Sequence, residues 1–280
     1  MWTSGYISAK ISSMIRMPAV AYQFYPGERV ALKKTVESLV KEKSLKEDAI
    51  AIIAPHAGYI YSGKVAGSVY SRVKIPDNIL LLGPNHTGLG ERAALMSSGE
   101  WEMPFGKVAI NQEIAHLLIE ESHIFSDDST AHAREHSLEV QLPFIQYFNP
   151  KASIVPVTIM YMGYEECKEL GKAVANAIRK YSDKILIVVS SDMNHYERDA
   201  VTKKKDRKAI DKILALNPRG LMETVSSDNI SMCGIIPATV ALAAAKELGA
   251  KKAELIDYAT SGDTSGDYEH VVGYAGILIN

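Results

Sequence analysis

Three short runs of this chain carry no polar side chain, and each stops at a loop that bears a histidine. Ala51–Pro55 leads into His56, Ile79–Pro84 into Asn85-His86, and Ile185–Val189 into Ser190-Ser191-Asp192-Met193-Asn194-His195. A run without polar alternation is a strand covered on both faces, the pattern of parallel sheets flanked by helices. Such sheets place their ligand sites in the crevice beyond the carboxyl ends of the strands. The three imidazoles are therefore expected at one sheet edge. Imidazole is a common transition-metal ligand and titrates near neutrality, so convergence points to a metal, an acid–base group, or both.

Helix-like segments alternate with these strands. Pro26-Gly27-Glu28 opens an amphipathic helix through about Lys43, with Val30, Leu32, Val36, Leu39 and Val40 on its apolar face. Gly63–Val73 reads as a helix with small residues suited to close packing. Ala93–Ser98 reads as a strand, 111–122 and 135–147 as helices, Ser153–Ile159 as extended and 164–181 as helical. Helices over 199–216, 218–226 and 234–248 lead to strands 253–259 and 271–278. The pattern predicts an α/β sandwich with a largely parallel central sheet flanked by helices. No linker-like stretch or internal repeat divides it, so residues 1–280 read as one domain.

Composition removes several function classes. The 280 residues are 47% hydrophobic and 23% charged with a formal net charge of −2, so neither nucleic acid nor an anionic membrane is an expected partner. The stretch Met1 to Tyr25 holds Lys10 and Arg16 among Ser, Tyr and Gly, with no apolar core of leader length. No segment approaches the ~20 apolar residues of a membrane span, and a cytoplasmic location is expected. Cys167 and Cys233 are too few for a disulfide framework and are expected as thiols.

The histidine loops define the candidate chemistry. Ala54-Pro55-His56-Ala57-Gly58 and Gly83-Pro84-Asn85-His86 repeat one arrangement. Read as neighbouring strands ~4.8 Å apart, they allow two imidazoles to share a metal with bonds near ~2.1 Å. In Asp192-Met193-Asn194-His195 the carboxylate can ligate metal or hold the imidazole in one tautomer, and His195 can move a proton. Cys233-Gly234 precedes an apolar helix, whose N-terminus is expected to favour the thiolate. Cys167 has no partner motif. Gly88-Leu89-Gly90 is followed by strand-like sequence rather than the helix a dinucleotide fingerprint requires. Neither a phosphate-binding P-loop nor a Gly-x-Ser-x-Gly elbow is present. His132-Ala133-Arg134-Glu135-His136 matches the H-x-x-E-H pattern of zinc peptidases, but the polar stretch before it places His132 ahead of the helix and off the face of His136.

Taken together, Ala-Pro-His-Ala-Gly-Tyr at 54–59, Gly-Pro-Asn-His at 83–86, Glu-His-Ser-Leu-Glu-Val-Gln-Leu-Pro-Phe at 135–144, Ser-Ser-Asp-Met-Asn-His at 190–195 and Cys-Gly at 233–234 resemble the Memo family. Arg16-Met17-Pro18-Ala19-Val20 and Phe24-Tyr25-Pro26 extend the resemblance toward the N-terminus. It implies a fold like that of the class III extradiol (LigB-type) non-haem iron dioxygenases. It also implies metal ligands at His56, His86 and Cys233, further pocket residues at Asp192 and His195, and Glu135, His136 and Glu139 lining or bracing the pocket. Cysteine replaces the carboxylate of the two-His, one-carboxylate iron site, which shifts preference toward copper(I), zinc or thiolate-tolerant iron and exposes the ligand to oxidation. The leading expectation is an iron- or copper-dependent redox protein acting on a small substrate. Its rivals are a non-catalytic protein binding a peptide or small ligand in the inherited pocket, and a metal-dependent hydrolase built on His132 and His136.

Overall fold

The computed structural model describes residues 14–41 and 45–280. Within them the apolar runs are buried strands, as their composition requires. Strands β1 (Ala51–Ala54), β2 (Asn78–Pro84), β3 (Ala93–Leu95), β4 (Phe125–Asp127), β5 (Ser153–Ile159), β6 (Ile185–Ser190), β7 (His195–Glu197), β8 (Ala253–Thr260) and β9 (Val271–Ile279) form one sheet. Its order is β7-β9-β1-β6-β2-β5-β3-β4, with β8 paired to β9. A small second sheet joins Ile15–Arg16, Glu100–Trp101 and Val108–Ala109.

Side chains alternate between two cores along each central strand. Ile52, Ile79, Leu81 and Val188 face one layer, while Ile53, Leu80, Leu82, Ile187 and Val189 face the other. Helices α1 (Arg29–Leu39), α2 (Tyr59–Arg72) and α4 (Leu142–Phe148) contribute to the first core. Helices α3 (Gln112–Glu121), α5 (Tyr164–Lys180), α6 (Asp199–Leu214), α7 (Pro218–Ser227) and α8 (Ile235–Glu247) contribute to the second. Burial on both faces is what makes these strands uniformly apolar.

Several expectations need correction. The four strands β1, β6, β2 and β5 are parallel, but β9 runs antiparallel to β1, β8 and β7, and β3 antiparallel to β5. The sheet is mixed rather than largely parallel, because the connection from β8 to β9 is too short for a parallel crossover. β1 and β2 are not neighbours, since β6 lies between them. The stretch 135–138 is irregular and a 3₁₀ turn, Glu139–Gln141, precedes α4, so the expected helix over 135–147 is only half formed. In α1 the buried residues are Leu32 and Val36, while Val30 is 70% exposed on the opposite side. The helix expected through about Lys43 stops at Leu39, where Val40 turns extended; Lys43 itself, and Lys10 in the N-terminal stretch, lie outside the described residues.

Candidate metal centre

The site forms where β1, β6 and β2 end. The register pairs Ala54 with Ser190 and Leu82 with Val189, so the three loops leave the sheet at one level. Two strand spacings separate the ends of β1 and β2, and the loops close that gap: the His56 and His86 rings lie 5.2 Å apart. Cys233 arrives from the turn before α8. A Cβ on Gly234 would stand 2.4 Å from Ser191 Cβ and 2.7 Å from Ser190 O, so only glycine lets this turn press against the end of β6. The ligand atoms of His56, His86 and Cys233 all lie within 4.8 Å of one another.

Hydrogen bonds assign the tautomers of His56, His86 and His195. The Ser190 hydroxyl donates to Ser137 O at 2.6 Å and accepts from Gln141 Nε2 at 2.8 Å, so His56 Nδ1, 3.0 Å away, is the donor to Ser190 Oγ. His56 Nε2 is left bare, 3.2 Å from Cys233 Sγ. His86 Nδ1 donates to Glu135 Oε1 at 2.9 Å, again leaving Nε2 bare. His195 Nδ1 donates to Ser231 O at 2.8 Å, with the same result. A ring nitrogen tied to a carboxylate, carbonyl or hydroxyl is the usual outer support of a ligating histidine.

Burial favours the neutral imidazole at His56 and His136. Burial, followed by the neighbouring His86 and His136, holds His56 well below the usual histidine range. Burial also lowers His136 against the pull of Glu135. Burial pushes Glu135 up, but the hydrogen bond and charge of His86, the Ser137 N–H and the charge of His136 outweigh it, and its carboxyl sits at about 2. Glu135 also accepts the N–H groups of His86, His136 and Ser137 at 2.5, 2.9 and 2.9 Å. Asp192 is raised by burial despite the N–H groups of His56 and Ala57. Its Oδ1 accepts the His56 N–H at 2.8 Å.

The expected thiolate does not form on the helix end alone. Burial, then the Asp192 carboxylate, pushes the Cys233 thiol up, outweighing the Asp192 and Gly234 N–H groups and the Ser191 hydroxyl. A bound cation would supply the charge that stabilises the thiolate here. Bonds near 2.3 Å to sulfur and 2.1 Å to nitrogen put such donors roughly 3.6 Å apart in a tetrahedral arrangement, close to the 3.2 Å seen between Cys233 Sγ and His56 Nε2. The donor set fits a borderline or soft transition metal.

The remaining site expectations separate. His136 stacks on His86 at 4.7 Å and meets Phe24 edge-on at 4.9 Å, and with His86 and Glu135 it forms a second group of metal-capable side chains. Glu139 braces rather than lines the pocket. It is fully buried, ion-paired to Arg16, and accepts Ala19 N–H at 2.7 Å, Val20 N–H at 3.1 Å and Tyr25 OH at 2.6 Å. His132 lies buried against Trp101, ring centroids 5.9 Å apart, and belongs to neither group among the described residues. Burial, then Arg16, lowers it to about 4.

Two supporting residues, Arg16 and Gln141, fall within the family-like motifs, but the sequence assigns neither a role. Arg16 donates to His132 O at 3.0 Å and Glu135 O at 2.6 Å, and its guanidinium lies 4.1 Å from the Trp101 ring, fastening the loop that holds Glu135 and His136. Gln141 links Tyr70 OH to Ser190 and Pro55 O. A buried polar residue inside an apolar segment, as Gln141 is in Val140–Phe144, is the one sequence cue for it.

Comparison with known proteins identifies the family. The family model described as Memo-like protein matches residues 16–278. The chain is 43% identical over 278 residues to a MEMO1 family protein of Pyrobaculum arsenaticum, covering 95% of this chain and 99% of that one. A Methanopyrus kandleri MEMO1 family protein is 41% identical over 279 residues, with 95% and 99% covered. One from Aquifex aeolicus is 42% identical over 266 residues, with 94% and 98% covered. With a match that spans every loop of the site, this chain belongs to the Memo-like protein family.

Proposed function

We propose that this chain is a redox metalloprotein that binds iron or copper, with zinc as a competing occupant, through His56, His86 and Cys233. The observation that supports this most is the shared tautomer: both histidines are held by Nδ1–H, and their ligand atoms lie within 4.8 Å of the half-buried Cys233 thiol, with His56 Nε2 3.2 Å from its sulfur. Two imidazoles and one thiolate leave coordination positions for a substrate, as in the two-His, one-carboxylate sites of LigB-type dioxygenases, whose fold is part of this reading. Bound iron or copper would supply the one-electron chemistry that side chains lack. The chain's own groups manage protons and position. His195 Nε2 takes a proton from a substrate hydroxyl, its ring held by Ser231. Asp192 holds the His56 backbone and presents a carboxyl that burial keeps ready to accept a proton. The substrate is read as small and hydroxylated. Both cysteines are unpaired thiols, which suits a reducing, cytoplasmic location. Among the described residues no helix is long and apolar enough to cross a membrane.

Elemental analysis and anaerobic titration with iron(II), copper(I) and zinc, comparing the wild type with Cys233→Ser, test the site. Stoichiometric binding that the variant weakens at least tenfold supports it. Absence of specific binding in the wild type overturns it. Oxygen uptake on the iron(II)-loaded protein with a catechol panel tests the dioxygenase-like part, which background rates would remove. A second reading, a non-catalytic pocket for a peptide or small ligand, is favoured by the contact between Cys233 Sγ and His56 Nε2, which lets these two groups satisfy each other without a cation. Ligand binding that survives complete metal removal would favour it.

A further inference from the structure

The loop that carries His195 is fastened by residues that the proposed chemistry does not use. Met193 N–H donates to Gly273 O at 2.8 Å, and Gly273 N–H returns to Asn194 O at 2.9 Å. Asn194 N–H donates to Asp206 Oδ1 at 2.9 Å. Asn194 Oδ1 accepts both the N–H and the hydroxyl of Ser231, at 3.1 and 3.2 Å. Ser231 then takes hold of His195 twice, its Oγ accepting the backbone N–H and its carbonyl the Nδ1–H, each at 2.8 Å.

Asp206 is the anomaly in this chain of contacts. It lies on α6, is fully buried, and its partners are an N–H and the Tyr258 hydroxyl at 2.7 Å rather than a cation. Nearby Lys205 is bonded instead to Glu197 and to Asn229 O. A buried carboxyl without a counter-ion destabilises the fold, so packing alone gives no reason for it. The surroundings are also shaped to it, since a Cβ at Gly273 would stand 1.8 Å from Asp206 Oδ2.

We infer that Asp206 is a positioning residue for His195: through Asn194 and Ser231 it fixes the imidazole as the Nδ1–H tautomer and keeps Nε2 bare. The path runs through a backbone N–H and an amide side chain, so it transmits orientation and no proton. The acid–base purpose of this device rests on the proposed function, but the tautomer exists in the metal-free protein and is read there.

The experiment uses the full chain, metal-free and labelled with ¹⁵N-histidine, at a pH where imidazoles are neutral. His195→Gln identifies the His195 signals, and exposed His123 is an internal control. The wild type is expected to show one His195 species with hydrogen on Nδ1; a species with hydrogen on Nε2 overturns the inference before any variant is made. Asp206→Ala and Asn194→Ala are expected to lose the single-tautomer signature while His123 is unchanged. Asp206→Asn, whose Oδ1 still accepts the Asn194 N–H, is expected to restore it. An unaltered His195 tautomer in folded Asp206→Ala and Asn194→Ala overturns the inference. Metal titration of the same samples is read separately, so failure to bind metal in the wild type counts against the proposed function and leaves the tautomer result standing.

Discussion

The residue that most repays substitution is Glu135, because it touches both candidate groups without needing to be a ligand itself. Its carboxylate holds the His86 ring and three backbone N–H groups. Glu135→Gln keeps the volume and replaces the charged acceptor of the His86 Nδ1–H with a neutral amide, and loss of such support costs roughly 10–100-fold in metal affinity. Competitive titration against a chromophoric chelator should find that loss, with His86→Ala losing more. Affinity equal to wild type would mean that Glu135 serves the loop and not the imidazole. That His56, His86 and Cys233 would gather was legible in the sequence, because His and Cys at strand and helix ends have few structural uses in common. What holds each imidazole was not legible. His195 is fixed by a main-chain carbonyl thirty-six residues away, and His56 by a serine whose hydroxyl is committed elsewhere. Partners of that kind leave no pattern of side-chain chemistry to read.

At the scale of elements, the segment Arg16–Tyr25 is a strap over the loop that follows His132. Arg16 and Glu139 meet with almost no solvent, and the rest of the Glu139 carboxylate is filled by Ala19, Val20 and Tyr25. Removing one partner of a buried pair strands the other, at about 3–5 kcal/mol. Arg16→Met should therefore lower the free energy of urea unfolding by about that amount and weaken metal binding, since the carbonyls of His132 and Glu135 lose their donor. A change below about 1 kcal/mol, the range of an exposed pair, would show that the strap is dispensable. Strands and long helices were legible from periodicity, and α8, apolar on all sides, is buried as its composition requires. The stretch 135–141 was not. Its apolar and polar residues fit a helix, but Glu135, His136 and Ser137 turn their groups to the site and to Arg16, and tertiary bonds prevail over local preference there.

For the molecule as a whole, the buried carboxyl of Asp206 sets a dependence on pH. Burial lifts it to about 7; Tyr258, the Asn194 N–H and Lys205 pull it down, while Glu197 adds to the rise. A carboxyl raised in the folded state favours folding while protonated, so its contribution is complete below the unfolded value near 3.9 and is lost as pH rises through 7. The loss amounts to about 4 kcal/mol by linkage, as an order of magnitude. Urea unfolding of wild type and Asp206→Asn between pH 4 and 8 should show a fall in wild-type stability that the variant lacks; parallel curves would contradict it. The order of strands was the part of the fold least legible. Apolar runs reveal that strands are buried but not which lies beside which, so nothing in the residues of β1 and β2 announces the gap between them. That gap has a consequence in time. The strand that fills it, β6, follows β2 by roughly a hundred residues along the chain, and Cys233 comes later still. Pairings so distant in sequence form slowly. A chain emerging from the ribosome therefore displays His56 and His86 before the strand that brings them together exists, so a metal bound as proposed would be taken up only by a finished fold.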